Sequence, residues 1–113
     1  MKRSLLIIVL AFGLLWGTVA CTTQDTVRAA IQQSFPDQYS KAVAVATCES
    51  GLNPNAISPG GGNWGLFQIN TVHSSMVRSM GYSWDQILDP YVNSKVARRI
   101  YNDAGGWGPW ACG

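Results

Sequence analysis

Apolar residues recur at helical spacing in several segments of the chain, and each segment is bounded by residues that start or stop helices. Residues 25–35 form the first such segment, for which Asp25 or Thr26 is the expected N-cap and Pro36 the end. Residues 37–50 form the second segment. The pattern therefore predicts two consecutive helices joined by a tight connection at the proline.

Glycines mark the ends of the next predicted elements. Gly51 stands just past the second segment, where a left-handed residue commonly ends a helix. A third, short helix is expected within residues 72–80, terminated by Gly81. Between them, residues 53–65 are rich in Asn, Pro and Gly and form the one extended loop expected in the domain.

The last predicted helix has the clearest start signal. Asp89 suits the N-cap and Pro90 the first helical position. Val92, Val96 and Ile100 then recur every four residues, which is typical of a face that packs on a core. A glycine pair follows as the stop. The fold class predicted from these elements is mainly α, without repeats or long linkers.

The N-terminus has the pattern of a secretory signal. Lys2 and Arg3 precede an apolar run from Leu5, and the small residues that follow end at Ala20. The 16 residues from Leu5 to Ala20 are fewer than the roughly 18 to 20 that a membrane-spanning helix needs. We therefore expect residues 1–20 to be a cleaved signal and residues 21–113 to form one mature domain.

Cys21 directly follows the expected cleavage site. The residues "TVAC" also resemble a bacterial lipobox, in which the cysteine is lipidated and becomes the first mature residue. Leucine usually stands where Thr18 is found, so ordinary secretion and a lipid anchor on Cys21 both remain open. Either alternative cuts the same bond and places the protein outside the cytoplasm, as a secreted, periplasmic or cell-envelope protein.

Composition and charge narrow the function classes. The chain of 113 residues is 47% hydrophobic and 12% charged, which fits a single domain. Loss of Lys2 and Arg3 with the signal lowers the basic residues from 8 to 6, against 6 acidic ones. A near-neutral mature chain with no basic cluster beyond Arg98 and Arg99 gives no reason to expect nucleic acid as a partner.

Three cysteines suggest one cross-link. In an oxidising compartment Cys48 and Cys112 are expected to pair, which leaves Cys21 as the odd one. The alternative is a catalytic thiol at Cys48 with His73, the sole histidine, as its base. That alternative gives Cys112 no role, and no known cysteine peptidase signature surrounds Cys48.

Glu49 is the sole glutamate of the chain. At helical spacing it shares a face with Ala42, Val45 and Ala46, so its carboxyl continues an apolar stripe. Desolvation of a carboxyl disfavours its charged form and raises its pKa. Glu49 is thus a candidate general acid, although an exposed glutamate at a helix end would satisfy the same pattern.

Three separated motifs resemble one family. The residues "ESGLNPNA", then "NWGLFQIN", and the closing "IYNDAGGWGPWACG" are similar to the lysozyme-like superfamily, in particular soluble lytic transglycosylases and small actinobacterial and phage muramidases. The resemblance covers about residues 25–113. It implies a small helical domain of the goose-type lysozyme and transglycosylase kind, with a short hairpin or turn across the cleft.

The resemblance also implies roles for individual residues. Glu49 would protonate the glycosidic oxygen between N-acetylmuramic acid and N-acetylglucosamine in peptidoglycan, with Ser50 as a supporting neighbour. Gln68 and Asn70 would bind sugar hydroxyl or N-acetyl groups, and Tyr101 would donate a hydrogen bond near the acid. Local turn and backbone bonding is the alternative role of Ser50, Gln68 and Asn70.

Asn63 is a departure from animal-type lysozymes, which place an aspartate at the matching position. An amide cannot form a glycosyl ester, so a retaining mechanism with two carboxylates is excluded there. A single glutamate is what lytic transglycosylases use, with the muramoyl C6 hydroxyl attacking to give a 1,6-anhydro end. Among the aspartates, Asp85 and Asp103 are the first candidates for a water-activating base if the enzyme is a hydrolase.

Aromatic and glycine-rich segments add little chemistry. Trp107 or Trp64 could stack on a sugar, although large aromatics in a small domain mostly fill the core. The three glycines at 60–62 lack the Lys and Ser/Thr of a phosphate-binding loop, and no cluster has metal-ligand spacing. The sequence predicts no cofactor and no metal.

The function predicted from the sequence is cleavage of the β-1,4 bond of peptidoglycan by a monomeric lytic transglycosylase. A hydrolytic muramidase is the first alternative. A catalytically silent relative that binds peptidoglycan is the second alternative. It is disfavoured because a silent domain has no reason to keep a glutamate at position 49.

Overall fold

The computed structural model describes residues 22–113. The expected signal segment, residues 1–20, and Cys21 lie outside the described residues. Within residues 22–113, four α-helices carry the fold: α1 (Thr23–Ser34), α2 (Tyr39–Ser50), α3 (Ser74–Ser79) and α4 (Pro90–Ala104). Two short 3-10 helices, Thr71–His73 and Trp84–Leu88, precede α3 and α4.

A small hairpin crosses the helical domain between α2 and α3. Strands β1 (Asn63–Trp64) and β2 (Ile69–Asn70) pair antiparallel, with Asn63 opposite Asn70 and Trp64 opposite Ile69. An isolated bridge from Ile57 to Trp64 continues the pairing into the preceding loop. The domain is therefore mainly helical with a short hairpin, as the sequence predicted.

The start of α1 differs from the prediction. Neither Asp25 nor Thr26 is the N-cap. The cap is Thr22, whose hydroxyl accepts from the Asp25 amide while the Asp25 carboxylate accepts from the Thr22 amide. This reciprocal capping box places Asp25 one turn inside the helix and satisfies two backbone donors that the shorter helix would leave free.

The remaining helix ends follow the sequence signals. Gly51 ends α2 with a φ of 65°, in the left-handed region that glycine adopts without a steric cost. The Asp89 carboxylate accepts from the amides of Tyr91 and Val92 and caps α4 ahead of Pro90. Gly105 ends α4 in the same way as Gly51 ends α2.

The core lies where α1, α2, α4 and the hairpin meet. α1 packs mainly against α4 and more lightly against α2. The predicted α4 stripe is confirmed, since Val96 is fully buried, Ile100 nearly so, and Val92 packs against the core. The largest fully buried side chains come from α1 and the residue after it, the hairpin, and the second 3-10 helix: Phe35, Phe67, Ile31, Leu66, Ile69, Ile87.

Candidate active site

A pocket of about 270 Å³ opens beside the C-terminal end of α2. The hairpin forms one side of it, and residues 109–111 near the C-terminus form another. Ten residues line it: Glu49, Asn63, Gln68, Ile69, Asn70, His73, Ile100, Pro109, Trp110, Ala111. The pocket thus combines one carboxyl group, one imidazole and three side-chain amides with apolar and aromatic residues.

Glu49 reaches this pocket from the last turn of α2. Ala42, Val45 and Ala46, on the same helical face, are buried in the core, whereas Glu49 itself is half-buried. Among residues 22–113, the ion pairs join Arg98 to Asp37 and Arg99 to Asp103, so the Glu49 carboxyl takes part in neither. It is also the sole carboxyl group among the lining residues that the structure describes.

Asn63 and Asn70 face each other across the hairpin and are joined through their side chains. The Asn70 Nδ2 donates to Asn63 Oδ1 at 3.0 Å, and Asn70 Oδ1 accepts from the Val72 amide. The two amides therefore hold each other in place at the edge of the pocket. The Nδ2 of Asn63 is the donor that this arrangement leaves for a ligand.

Gln68 is held in an unusual backbone conformation. Its φ of 49° lies in the left-handed region, which costs free energy in a residue with a side chain. The side-chain Nε2 donates to the carbonyl oxygens of Ala56 (3.1 Å) and Gly65 (3.0 Å). The amide is thus fixed by the surrounding turn, and Oε1 is the atom available to accept a hydrogen bond from a ligand.

Ser50 connects the helix that carries Glu49 to the turn between the strands. Its hydroxyl lies 3.0 Å from the Ala46 carbonyl oxygen in its own helix and 2.6 Å from the carbonyl oxygen of Leu66. The backbone-bonding role that the sequence left open for Ser50 is therefore present in the structure. The bond to Leu66 links α2 to the turn between β1 and β2, on the opposite side of the site.

The third side of the pocket is tied down by two links. Cys48 and Cys112 form the predicted disulfide, so Cys48 has no free thiol in this structure and the cysteine-nucleophile alternative is excluded there. The Trp110 Nε1 donates to the Phe67 carbonyl oxygen at 2.9 Å. Together these links hold residues 109–111 against the site.

Tyr101 and Trp107 lie in an aromatic cluster next to the pocket, and neither is among its lining residues. The Trp107 ring stacks on Phe35 at 4.9 Å between ring centroids, and Tyr101 packs edge-on against both rings. Trp107 also contacts Trp110, which does line the pocket. Direct contact of Tyr101 or Trp107 with a sugar stays a prediction.

Trp64 is similarly engaged within the protein. Its Nε1 donates to the Gly61 carbonyl oxygen at 2.8 Å, and its ring packs edge-on against Trp84. This contact closes the glycine-rich loop over the start of β1. A sugar contact for Trp64 also stays a prediction.

The structure adds pocket residues that sequence reasoning missed. The sequence indicated His73 only as a base for Cys48 and indicated no place at the site for Trp110. Ile100, Pro109 and Ala111 had no assigned place at the site. Because these residues reach the pocket from the first 3-10 helix, α4 and residues near the C-terminus, only tertiary structure could bring them together.

Asn93 is a buried polar residue that supports the site from behind. Its Nδ2 donates to the carbonyl oxygens of Trp64 and Ile87, and its Oδ1 accepts from the Phe67 amide at 2.8 Å. Gly65, in contact with Asn93, has a φ of 78°. In the sequence, Asn93 directly follows Val92, a member of the apolar stripe of α4. A polar residue next to that stripe was the available signal for a buried hydrogen-bonding role.

No helix among residues 22–113 is long and apolar enough to cross a membrane. The described residues also contain no group of three or more His, Cys, Asp or Glu side chains arranged to bind a metal ion. The polar side chains that line the pocket include one carboxyl group, one imidazole and three amides.

Comparison with known proteins gives a consistent result. The sequence model of a family described as lysozyme-like domain matches residues 27–112. Protein IpgF of Shigella flexneri and protein IpgF of Shigella sonnei are each 31% identical to the chain over 80 residues, which cover 67% of this chain. The aligned region is about half (51%) of each relative's length. No solved structure matches the chain.

Proposed function

Because the chain belongs to the family of lysozyme-like domains, we propose that it cleaves the β-1,4 bond between N-acetylmuramic acid and N-acetylglucosamine in peptidoglycan. The observation that carries the proposal is the pocket that Glu49 lines together with the amides of Asn63, Gln68 and Asn70. Glycoside cleavage requires a positioned carboxylic acid, and amides suit the hydroxyl and N-acetyl groups of the two sugars.

We propose Glu49 as both acid and base of a lytic transglycosylase. Glu49 donates its proton to the glycosidic oxygen, and the bond from that oxygen to the muramoyl C1 breaks. The substrate's own N-acetyl oxygen stabilises the positive charge at C1. The Glu49 carboxylate then takes the proton of the C6 hydroxyl, whose oxygen bonds to C1, so that a 1,6-anhydro end forms and Glu49 is protonated again.

Asn63 supports this mechanism over one that uses two carboxylates. It lines the pocket with Glu49, and its amide can donate a hydrogen bond but cannot act as a nucleophile or take up a proton from water. The C6 hydroxyl is already part of the bound substrate, and an intramolecular nucleophile has a very high effective concentration. One carboxyl group is therefore sufficient for the reaction.

Gln68 would contribute orientation. Its amide is fixed by two backbone carbonyls, so its Oε1 needs no reordering when substrate binds. A rigid acceptor of this kind lowers the entropy cost of placing a sugar against the acid. The same argument applies to Asn63, which Asn70 holds in place.

We also propose that residues 1–20 are removed on export and that residues 21–113 act outside the cytoplasm. The disulfide supports this location, because structural disulfides persist in oxidising compartments. A lipid on Cys21 and an unmodified N-terminus remain the two forms to distinguish. The mass of the N-terminal peptide of the exported protein separates them.

The reaction is tested by digesting purified peptidoglycan and weighing the muropeptides. A transglycosylase product ends in 1,6-anhydromuramic acid and is lighter than the hydrolysed product by one water. Products that end only in reducing muramic acid would identify a hydrolase and direct attention to Asp85 and Asp103. Binding without any cleavage would identify a silent relative.

A further inference from the structure

A second pocket, of about 290 Å³, adjoins the first along α3 and the end of α4. Its lining residues are His73, Met76, Ile100, Asp103, Ala104, Pro109. His73, Ile100 and Pro109 also line the first pocket, so the two pockets are adjacent and share these wall residues. A ligand bound beside Glu49 can therefore extend into the second pocket without leaving the protein surface.

The two pockets differ in chemistry. The first contains the three amides of Asn63, Gln68 and Asn70, whereas the described residues that line the second include no amide side chain and no Phe, Tyr or Trp ring. Met76, Ile100, Ala104 and Pro109 give it an apolar surface instead. Sugar rings are bound by planar polar groups and aromatic faces, so this surface is poorly suited to a further saccharide.

We propose that the second pocket binds the peptide stem that muramic acid carries in peptidoglycan, and so makes the enzyme prefer stem-bearing strands. The inference rests on the proposed function of the first pocket. A stem begins at the muramic acid ring and contains alanyl methyl groups, which match the apolar surface around Met76 and Ala104. The shared residues His73, Ile100 and Pro109 place this surface next to the first pocket, where a substituent of a bound sugar can reach it.

Charged groups at the rim fit the same ligand. Asp103 lines the second pocket and pairs with Arg99 at 3.0 Å, with side chains that are 57% and 50% exposed. An exposed pair of this kind contributes little to stability, so its members can exchange partners at little cost. The carboxylates and amino groups of a stem offer such partners, and half-buried His73 stands at the junction with the catalytic pocket.

The first experiment compares two substrates for the unmodified protein. One is intact peptidoglycan, and the other is the same glycan after an amidase has removed the stems. We expect kcat/KM to be about tenfold lower on stemless strands, because binding energy from a remote substituent is lost. Equal cleavage of both substrates would overturn the stem proposal alone, whereas cleavage of neither would contradict the proposed function.

The second experiment fills the pocket. Ala104 lines only the second pocket and is exposed near the end of α4, so Ala104→Trp can be accommodated there without disturbing the core. We expect this variant to lose the preference for stem-bearing strands and to cleave stemless strands as before. Ala29→Trp, at an exposed position of α1 that lines neither pocket, is the matched control and should keep the preference. An equal loss on both substrates with Ala104→Trp would contradict the proposal.

A direct measurement keeps the proposal testable if the variant does not fold. With methyl-labelled methionine, the free stem peptide should shift the NMR signal of Met76, which lines the pocket. Met80 lines neither pocket and serves as the internal reference. Peptide concentrations that leave the Met76 signal unmoved, or that move both signals alike, would overturn the assignment.

Discussion

The Ser50 hydroxyl lies 2.6 Å from the carbonyl oxygen of Leu66, a residue 16 positions further along the chain. This hydrogen bond joins the helix end that carries Glu49 to the turn that carries Gln68. The two sides of the proposed catalytic pocket are thus connected directly beside the acid.

Replacement of Ser50 should weaken both the fold and the site. Ser50→Ala removes the bond to Leu66, and we expect the free energy of unfolding to fall by about 1 kcal/mol, with a lower rate of cleavage. Thr47→Ala is the matched control, because the Thr47 hydroxyl bonds only to Val43 within α2. Urea denaturation and peptidoglycan digestion measure the two effects. Equal loss in both variants would show that the bond across the site is unimportant.

Glu49→Gln should abolish cleavage and leave the fold intact. The substitution keeps the shape of the side chain and removes the proton, and general acid catalysis contributes about 10²- to 10⁴-fold. Asp25→Asn makes the same chemical change at an exposed carboxylate that is absent from the pocket lining, and it should retain activity. Circular dichroism checks folding. Turnover by Glu49→Gln at the rate of the unmodified protein would remove Glu49 from the mechanism.

Asn63→Asp tests whether a second carboxylate in the pocket changes the reaction from transglycosylation to hydrolysis. The new carboxylate can still accept the hydrogen bond from Asn70, so the hairpin should be retained. It also supplies the pocket with a second carboxylate able to activate water. We expect hydrolysed, reducing ends to appear among the products, as measured by muropeptide mass. Products that stay entirely anhydro would mean that position 63 does not face the reacting carbon.

Loss of the disulfide should destabilise the protein and open the site. In the chain-entropy model, a bridge across 64 residues is worth about 4 kcal/mol, so the double variant Cys48→Ser, Cys112→Ser should unfold at lower denaturant concentration. Cleavage should also fall, because residues 109–111 line the pocket.

Mass spectrometry of the exported protein under non-reducing conditions should find the peptide in which Cys48 and Cys112 are linked. Two free thiols there would contradict the bridge.

The Arg98–Asp37 pair should make stability depend on acid pH. The hydrogen bond from the Arg98 guanidinium holds the pKa of Asp37 below its ordinary value of 3.8. A lowered pKa in the folded state means that the pair stabilises the fold above pH 3.8 and that this stabilisation is lost as pH falls through the folded-state pKa. Asp37→Asn should therefore be less stable than the parent at neutral pH, and thermal melts should converge in strong acid. A constant difference at every pH would contradict the assignment.

Local signals made much of the fold predictable. Gly51, Asp89, Pro90 and Gly105 act at short range, so the ends they mark needed no tertiary information. The predicted start of α1, at Asp25 or Thr26, was wrong because Thr22 is the N-cap and forms a reciprocal capping box with Asp25. The helical face that Glu49 shares with Ala42, Val45 and Ala46 was also predictable, because these residues recur at the spacing of a single helix.

The rest of the site depends on contacts between distant segments. His73 and Trp110 reach the pocket from segments more than thirty residues apart. The sequence around each of them does not show whether the side chain lines a pocket or fills the core. Gln68 was expected at the cleft, but its fixed amide depends on the carbonyl oxygen of Ala56. Such arrangements follow from the packed structure rather than from local periodicity.

Asn93 and Gly65 constrain each other. A Cβ at position 65 would collide with the Asn93 amide and would lie 2.9 Å from the Ile87 carbonyl oxygen, while the φ of 78° already disfavours side chains. Moving Asn93 aside to make room would release the three backbone groups that it binds. We therefore expect the two positions to be epistatic, so that a substitution at one changes which residues the other can tolerate, although they are 28 residues apart in sequence.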